Sequence, residues 1–371
     1  MAGIGFRLQA LLDEESYLST FKAYLFGAII ACGPWIITIS TLGIIGFFQS
    51  KLFAPTVIQA FRITIVYLFA SSLMINGIIQ LPLTRYVADL MYLRKKNQCF
   101  PTYIGALVTV GGVQLLVGIT SILYLDNWGF WEAFHILGLF QIVSFIWIAM
   151  LFLSAAKDYM AIVYAYLVGG LAGILTSYIL GQYWGVLGYY AGLTLGHFVI
   201  LAWLTIRIKI EFPSEELIDF GFFKTAKSIP SLVLIGIIYQ LSVWIDHFVF
   251  WASSHADVRL GALQTCTLYD IPMFLAYVTV IPALAIFLVR TETDFYQHYK
   301  LFFEAIQSKK TYKAIHQAKE ALVQSLLRSA SLLVKRQGLV TLILLLVIPY
   351  LIEPMKLEWV YLGILRIDIL A

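Results

Sequence analysis

The strongest constraint on this chain is a series of apolar segments, each of which could cross a lipid bilayer as one helix. A spanning helix needs about 20 mostly apolar residues, because the hydrocarbon core is about 30 Å thick. The ten segments are Leu25–Phe48, Ile63–Leu83, Tyr103–Leu125, Phe134–Ala155, Ile162–Gln182, Val186–Ile206, Leu232–Ala252, Cys266–Val289, Gly338–Ile352 and Leu357–Ala371. The pattern predicts an all-α fold, a polytopic bundle of membrane helices.

Composition supports a membrane environment, because hydrophobic residues make up 61% of the chain and charged residues only 12%. A soluble protein carries about a quarter charged residues. The three cysteines, Cys32, Cys99 and Cys266, lie far apart and form no CxxC pair, which argues against a disulfide framework or a zinc site. The first residues contain no basic segment and no cleavage motif, so we expect no signal peptide.

Lysine and arginine are concentrated in alternate loops, after the second, sixth and eighth apolar segments. Cytoplasmic loops are enriched in these residues. The alternation predicts a multi-pass protein with a cytoplasmic N-terminus. The densest stretch is residues 290–336, where nine basic and four acidic residues give a net charge of +5.

This charged stretch also contains apolar residues at helical spacing, which predicts two amphipathic helices broken near Lys309–Thr311. The apolar faces must be covered by the membrane surface, by the helix bundle or by a cytoplasmic partner. The simpler interpretation of the basic residues is the usual excess in cytoplasmic loops, with anionic lipid headgroups as the partner. The candidate partner-facing or lipid-facing residues are Phe295, Tyr299, Phe302, Lys309 and Lys310.

The segments divide into six, a gap, and at least four more. We therefore predict an N-terminal lobe over residues 1–206, which includes an amphipathic N-terminal helix, and an amphipathic linker over 207–227 that forms a surface helix. A C-terminal lobe follows over 228–371, with a cytoplasmic helical insertion at 290–336. Paired lobes of membrane helices are a known transporter architecture, with the substrate site at their interface.

Several polar residues lie inside the apolar segments and share helix faces. A charge in mid-membrane costs about 2.5–3.5 kcal/mol on insertion scales, so such groups usually face a cavity or a partner. The candidate substrate-pathway residues are Ser72, Asn76 and Gln80 in the second segment, Tyr239, Ser242 and Asp246 in the seventh, and Asp270 and Tyr277 in the eighth. We expect both carboxylates to lie toward the outer side, at similar depth.

Structural roles are the alternative for these residues. Asn76 and Gln80 could form hydrogen bonds between helices, and Asp246 could pair with Arg259 or cap a neighbouring helix. Helix breakers, Gly33 with Pro34 in the first segment and Pro272 with Pro282 in the eighth, predict kinks. Kinks occur both in transporters that rock and in static bundles.

Catalytic signatures are missing from the sequence, which contains no GxxxxGK[ST], HExxH or GxSxG motif and no GxGxxG in a suitable context. We therefore predict a transporter rather than an enzyme, without a cofactor, a metal or a nucleic-acid partner.

Four sequence features carry a family resemblance: the N-terminal MAGIGF, Gly33-Pro34-Trp35, Trp244-Ile245-Asp246 and the run TLYDIPMFLAYVTVIPALAIFLVRTETDFYQHY over residues 267–299. Together they resemble the PelG family of exopolysaccharide exporters, part of the multidrug/oligosaccharidyl-lipid/polysaccharide (MOP) superfamily, which implies a bacterial inner-membrane location. The resemblance implies two six-helix lobes, alternating access and export of an amino-sugar-rich polysaccharide for a biofilm matrix. It also implies partners, namely a PelF-like cytoplasmic glycosyltransferase and PelD-like and PelE-like inner-membrane proteins. Because about ten spans fit here, against twelve in the family, we expect a C-terminally incomplete copy.

Two other functions compete with polysaccharide export. One is a scaffold that docks a cytoplasmic glycosyltransferase and transports nothing. The other is a flippase for a lipid-linked oligosaccharide within the same superfamily. Polar stripes that face a hydrated cavity would favour transport, whereas stripes buried between helices would favour the scaffold.

Overall fold

The computed structural model describes residues 4–14, 16–125, 128–352 and 359–370, and this part of the chain is almost entirely helical. The helices are α1 (Ile4–Asp13), α2 (Tyr17–Gln49), α3 (Pro55–Tyr92), α4 (Cys99–Leu125), α5 (Phe130–Ala155), α6 (Tyr159–Trp184), α7 (Val186–Glu211), α8 (Phe222–Ser228), α9 (Pro230–Trp251), α10 (Thr267–Thr279), α11 (Ile281–Arg290), α12 (Tyr296–Gln307), α13 (Tyr312–Ile352) and α14 (Trp359–Leu370). Strands β1 (Val258–Leu260) and β2 (Leu263–Thr265) form an antiparallel hairpin between α9 and α10.

Nine helical segments in the described residues are long and apolar enough to cross a membrane. They are Tyr17–Gln49, Pro55–Tyr92, Lys96–Leu125, Phe130–Ala155, Tyr159–Trp184, Val186–Glu211, Pro230–Trp251, Thr267–Gln307 and Tyr312–Val347. Each of the first nine predicted segments falls on one of them, which confirms the predicted polytopic membrane bundle. The tenth, Leu357–Ala371, lies partly outside the described residues. Large apolar side chains such as Leu116 and Leu171 are 70% and 66% exposed, as expected where lipid is the solvent.

Helices α6 and α7 pack closely because glycines face each other across their interface. A Cβ at Gly192 would lie 2.2 Å from the backbone nitrogen of Ser177, and a Cβ at Gly196 would lie 2.5 Å from the Cα of Gly173. Small residues let membrane helices approach each other until their backbones touch. The turn between the two helices is Gly185, whose φ of +59° is accessible to glycine at little cost.

The described chain forms two compact units. One comprises Pro34–Thr267, and its core lies between α3, α4, α5, α6 and α7 around residues such as Tyr103, Phe152 and Leu204. The other comprises Met1–Gly33 with Leu268–Ala371, and its small core contains Ala276, Leu365 and Ile369. These units do not coincide with the predicted lobe boundaries at 206 and 228, and the division into lobes stays a prediction.

Three local differences from the sequence prediction have physical reasons. The surface helix predicted over 207–227 is wrong in part: residues 207–211 form the end of α7, residues 212–221 are not helical, and α8 begins at Phe222. The second half of the predicted insertion and the ninth span form one continuous helix, α13, which Gly338 does not interrupt. In the eighth segment the chain breaks between α10 and α11 next to Pro282, whereas α10 continues through Pro272 and α2 through Pro34.

Candidate functional site

The polar stripe of α3 begins with Ser72 and Asn76, both buried against α5. The Ser72 hydroxyl donates to Phe69 O at 2.7 Å and accepts from Trp147 Nε1 at 3.0 Å. The Asn76 amide donates to Ser72 O at 2.8 Å and approaches Ser144 O at 3.5 Å. Ser72 is fully buried and Asn76 is 3% exposed. This placement supports the structural alternative, hydrogen bonding between helices, for these two residues.

Gln80 continues the same stripe and lies at the contact between α3 and α9. The two helices approach closely, because a Cβ at Gly236 would lie 2.2 Å from Gly77 O. One turn further along each helix, Gln240 Nε2 donates to Gln80 Oε1 at 3.0 Å. Gln240 is buried and Gln80 is exposed, so the amide pair ends at an accessible edge of the contact. A substrate-pathway role for Gln80 stays a prediction.

The remaining stripe residues of α9 are more accessible than those of α3. Tyr239 is 61% exposed, and Ser242 is exposed with its hydroxyl donating to Tyr239 O at 2.7 Å. Asp246 Oδ1 lies 3.0 Å from His247 Nδ1, with the two side chains 29% and 13% exposed. The Asp246 side chain is therefore partly exposed, and its Oδ1 contacts the His247 ring.

Aromatic rings surround the C-terminal part of α9. The Trp244, His247 and Trp251 rings lie 5.4–6.2 Å from one another, and Tyr67 of α3 is 4.8 Å from Trp251. The Tyr67 hydroxyl donates to Gln264 O at 2.8 Å, which fastens the β-hairpin to α3. The region around Asp246 is thus a carboxylate bordered by aromatic side chains, a combination that suits amphipathic ligands.

Asp270 and Tyr277 belong to the other unit, on α10. Asp270 lies half-buried in the first turn of that helix, where the exposed N–H groups favour a carboxylate. Tyr277 is 38% exposed. A cavity shared by Asp246 and Asp270 stays a prediction, since the two residues lie in separate units.

The candidate partner-facing residues are Phe295, immediately before α12, Tyr299 and Phe302 on α12, and Lys309 and Lys310 in the turn after it. This helix is preceded by a π-helical turn, Thr291–Phe295, which the sequence analysis missed. The Phe295, Tyr299 and Phe303 rings follow one another along the helix, with centroid distances of 6.2 and 4.5 Å. Phe302 is half-buried, whereas Tyr299, Lys309 and Lys310 are exposed. The predicted break falls in the right place, since α12 ends at Gln307 and α13 begins at Tyr312.

The segment between α7 and α8 contains an anchoring residue that the sequence analysis missed. Asp219 Oδ2 accepts from the Tyr86 hydroxyl and from the Thr102 hydroxyl, each at 2.9 Å, and Oδ1 accepts from Gly221 N at 3.0 Å. The Asp219 backbone nitrogen donates to Pro101 O at 3.0 Å. The linker is therefore fixed to the ends of α3 and α4. The available signal was an aspartate two residues before a glycine, which is typical of a side-chain-capped turn.

Comparison with known proteins identifies the family of this chain. Residues 1–371 match the family model PelG, described as an exopolysaccharide exporter (EPS-E). The chain belongs to the PelG family. A search among curated proteins found no match.

Solved structures place the PelG-family chain in the MOP fold. A MOP superfamily transporter from Pyrococcus furiosus aligns with a TM-score of 0.63 and 16% identity, covering 93% of this chain and 77% of that one. A variant of VcmN, a MATE transporter from Vibrio cholerae, aligns with a TM-score of 0.65 and 12% identity, covering 93% and 78%. A MATE family transporter in an outward-facing conformation aligns with a TM-score of 0.61. The predicted MOP-exporter-like fold is confirmed.

Proposed function

We propose that this PelG-family chain exports an amino-sugar-rich, Pel-like exopolysaccharide across the bacterial inner membrane during biofilm matrix synthesis. The observation that carries the proposal is the match to the exporter family over residues 1–371, together with a MOP-type bundle of membrane helices. The half-buried carboxylate of Asp246 beside aromatic rings adds chemical support, because a polymer with ammonium and hydroxyl groups needs acceptors along its route.

Export is tested by complementation of a bacterium that makes such a polysaccharide but lacks its own exporter. We expect cells carrying this chain to release polymer into the medium, measured with an amino-sugar-binding lectin and by sugar analysis after hydrolysis. The matched control expresses the parent vector. Normal amounts of membrane-inserted chain with no released polymer, in the presence of the synthase components, would contradict the proposal.

The runner-up, a scaffold that docks a glycosyltransferase without transport, is favoured by the burial of Ser72 and Asn76 between helices and by a second feature on α12. The aromatic row on α12 is largely accessible, with Tyr299 at 43% and Phe303 at 40% exposure, and Lys300 lies on the same helix at the next position after Tyr299. Aromatic residues are enriched at interfaces with protein partners. We propose that this surface binds a PelF-like glycosyltransferase together with PelD-like and PelE-like membrane proteins, in support of export rather than in place of it.

Docking is tested with the double substitution Tyr299→Ser and Phe303→Ser, which removes the two exposed rings of the row. We expect the recovery of co-purified glycosyltransferase to fall about tenfold or more, because truncation of an aromatic interface anchor costs at least about 2 kcal/mol. The measurement is quantitative immunoblotting after purification of the chain from membranes.

Tyr312→Ser is the matched control for this test, because Tyr312 is also an exposed aromatic residue but lies at the start of α13. Equal recovery of the glycosyltransferase with the double variant and with the control would assign the aromatic row to the membrane surface instead.

A further inference from the structure

A cavity of about 270 Å³ lies at one end of the unit Pro34–Thr267 and has no function assigned so far. Its walls come from α3, α5, α7 and the β-hairpin, through Thr56, Phe61, Trp128, Glu132, Val186, Tyr190 and Leu260 among others. The volume is near the lower end of the range for small-molecule sites, about 300–1,000 Å³. The space therefore suits one ring-sized group rather than a large ligand.

The lining combines aromatic surfaces with one carboxylate. The Phe61 and Tyr190 rings lie 4.7 Å apart at an angle of 41°, and both side chains are buried, so this wall is rigidly held. Trp128 packs against the same core cluster and is half-buried. Large apolar faces with a few placed polar groups are typical of ligand pockets.

Glu132 supplies the charge in this cavity. Its Oε2 accepts one hydrogen bond, from Gly129 N at 3.3 Å, at the start of α5. Among the described residues, the Glu132 carboxylate has no second hydrogen bond and no ion pair. Half-buried and only singly bonded, the carboxylate can accept further bonds from a ligand. An ammonium group gives the strongest such bond, and a tryptophan face attracts the same cation.

The cavity also lies at the end of the bundle where an exported polymer would leave. Thr56, Trp128 and Val186 belong to or border the loops with little positive charge, which the charge pattern predicts to be on the outer side. Glu132 begins α5 at the same end.

We propose that this cavity binds one hexosamine unit of the polymer, with the sugar ring against the half-buried Trp128 side chain and its ammonium group paired with Glu132. The inference rests on the proposed export function and names the part of the substrate that the exit side recognises. A de-acetylated amino sugar offers an apolar ring face, hydroxyl groups and a positive charge together. The Trp128 ring can contact the apolar face, the Thr56 hydroxyl can bond to the sugar hydroxyl groups, and the Glu132 carboxylate can pair with the charge.

The test uses the purified full chain in lipid nanodiscs and two probes, a glucosamine tetramer and its fully N-acetylated counterpart. We expect the glucosamine tetramer to bind measurably by titration calorimetry, and Glu132→Gln to raise its Kd about tenfold or more, since bonds to charged groups are the stronger class. The glutamine Oε1 can accept the same hydrogen bond from Gly129 N, so the variant should fold. The acetylated tetramer should bind more weakly and should not respond to this substitution.

Trp128→Phe is the second variant, and it should weaken both tetramers moderately because a smaller ring remains. Glu215→Gln is the matched control, since it removes one exposed carboxylate far from the cavity lining in sequence. Binding of the glucosamine tetramer that is unchanged by Glu132→Gln, or no binding of this tetramer at all, would overturn the site. Export by wild-type cells without tetramer binding would overturn the site alone, whereas failure of complementation would overturn the proposed function.

Discussion

Replacing Gly192 with leucine should largely abolish the accumulation of folded protein. The added Cβ would lie 2.2 Å from Ser177 N and 2.3 Å from Ser177 Cα, so α6 and α7 would have to separate. Ordinary overpacking costs about 1–3 kcal/mol. The cost here should exceed that range, because the obstacle is backbone that cannot change rotamer. Fluorescence-detected size-exclusion chromatography and the melting temperature in detergent would measure the loss.

Gly112→Leu is the matched control for this prediction. Gly112 also lies inside a membrane helix, α4, but a Cβ there meets nothing within 4 Å. We expect this variant to accumulate and melt like the unsubstituted chain. If both leucine variants behaved alike, close packing of α6 on α7 would not be a source of stability.

Replacing Asp246 with asparagine, and separately Asp270 with asparagine, should reduce polysaccharide export about ten- to a hundredfold. Each carboxylate lies within a helical segment able to cross the membrane, and each is only half-buried, so a passing substrate can contact its side chain. Loss of a hydrogen bond to a charged group costs about 1.5–3 kcal/mol. Asparagine keeps the size of the side chain and removes its charge. Released polymer per amount of membrane-inserted protein is the quantity to measure.

Glu215→Gln serves as the charge-matched control here, because this exposed carboxylate lies in the segment between α7 and α8 rather than in a span. Normal export by both asparagine variants at normal protein levels would remove Asp246 and Asp270 from the substrate pathway. Reduced export that only follows reduced protein would show instead that the two carboxylates stabilise the bundle.

The sequence alone determined the class of fold and most of its elements. Apolar runs of about 20 residues admit few structures other than membrane helices, because unsatisfied backbone groups are too costly in lipid. The helix break near Lys309–Thr311 and the interruption at Pro282 were also readable, since proline and a polar turn act locally. The resemblance carried by residues 267–299 likewise predicted the family that the comparison confirmed.

The tertiary structure decided which polar residues are buried and which remain accessible. A spacing of four residues places Ser72, Asn76 and Gln80 on one face, but only packing shows that α5 covers the first two and that Gln80 meets Gln240 of α9. Helical periodicity defines a face and does not identify the helix that lies against it.

The anchored linker and the aromatic cavity depended even more on contacts between distant parts of the chain. Asp219 bonds to Tyr86 and Thr102, more than a hundred residues away, so no local pattern could identify those partners. The cavity lining likewise joins residues from Thr56 to Leu260, which only the folded bundle brings together. Local sequence thus specified the helices, while the close approach of their backbones at Gly77, Gly192 and Gly236 decided where the polar and aromatic side chains meet.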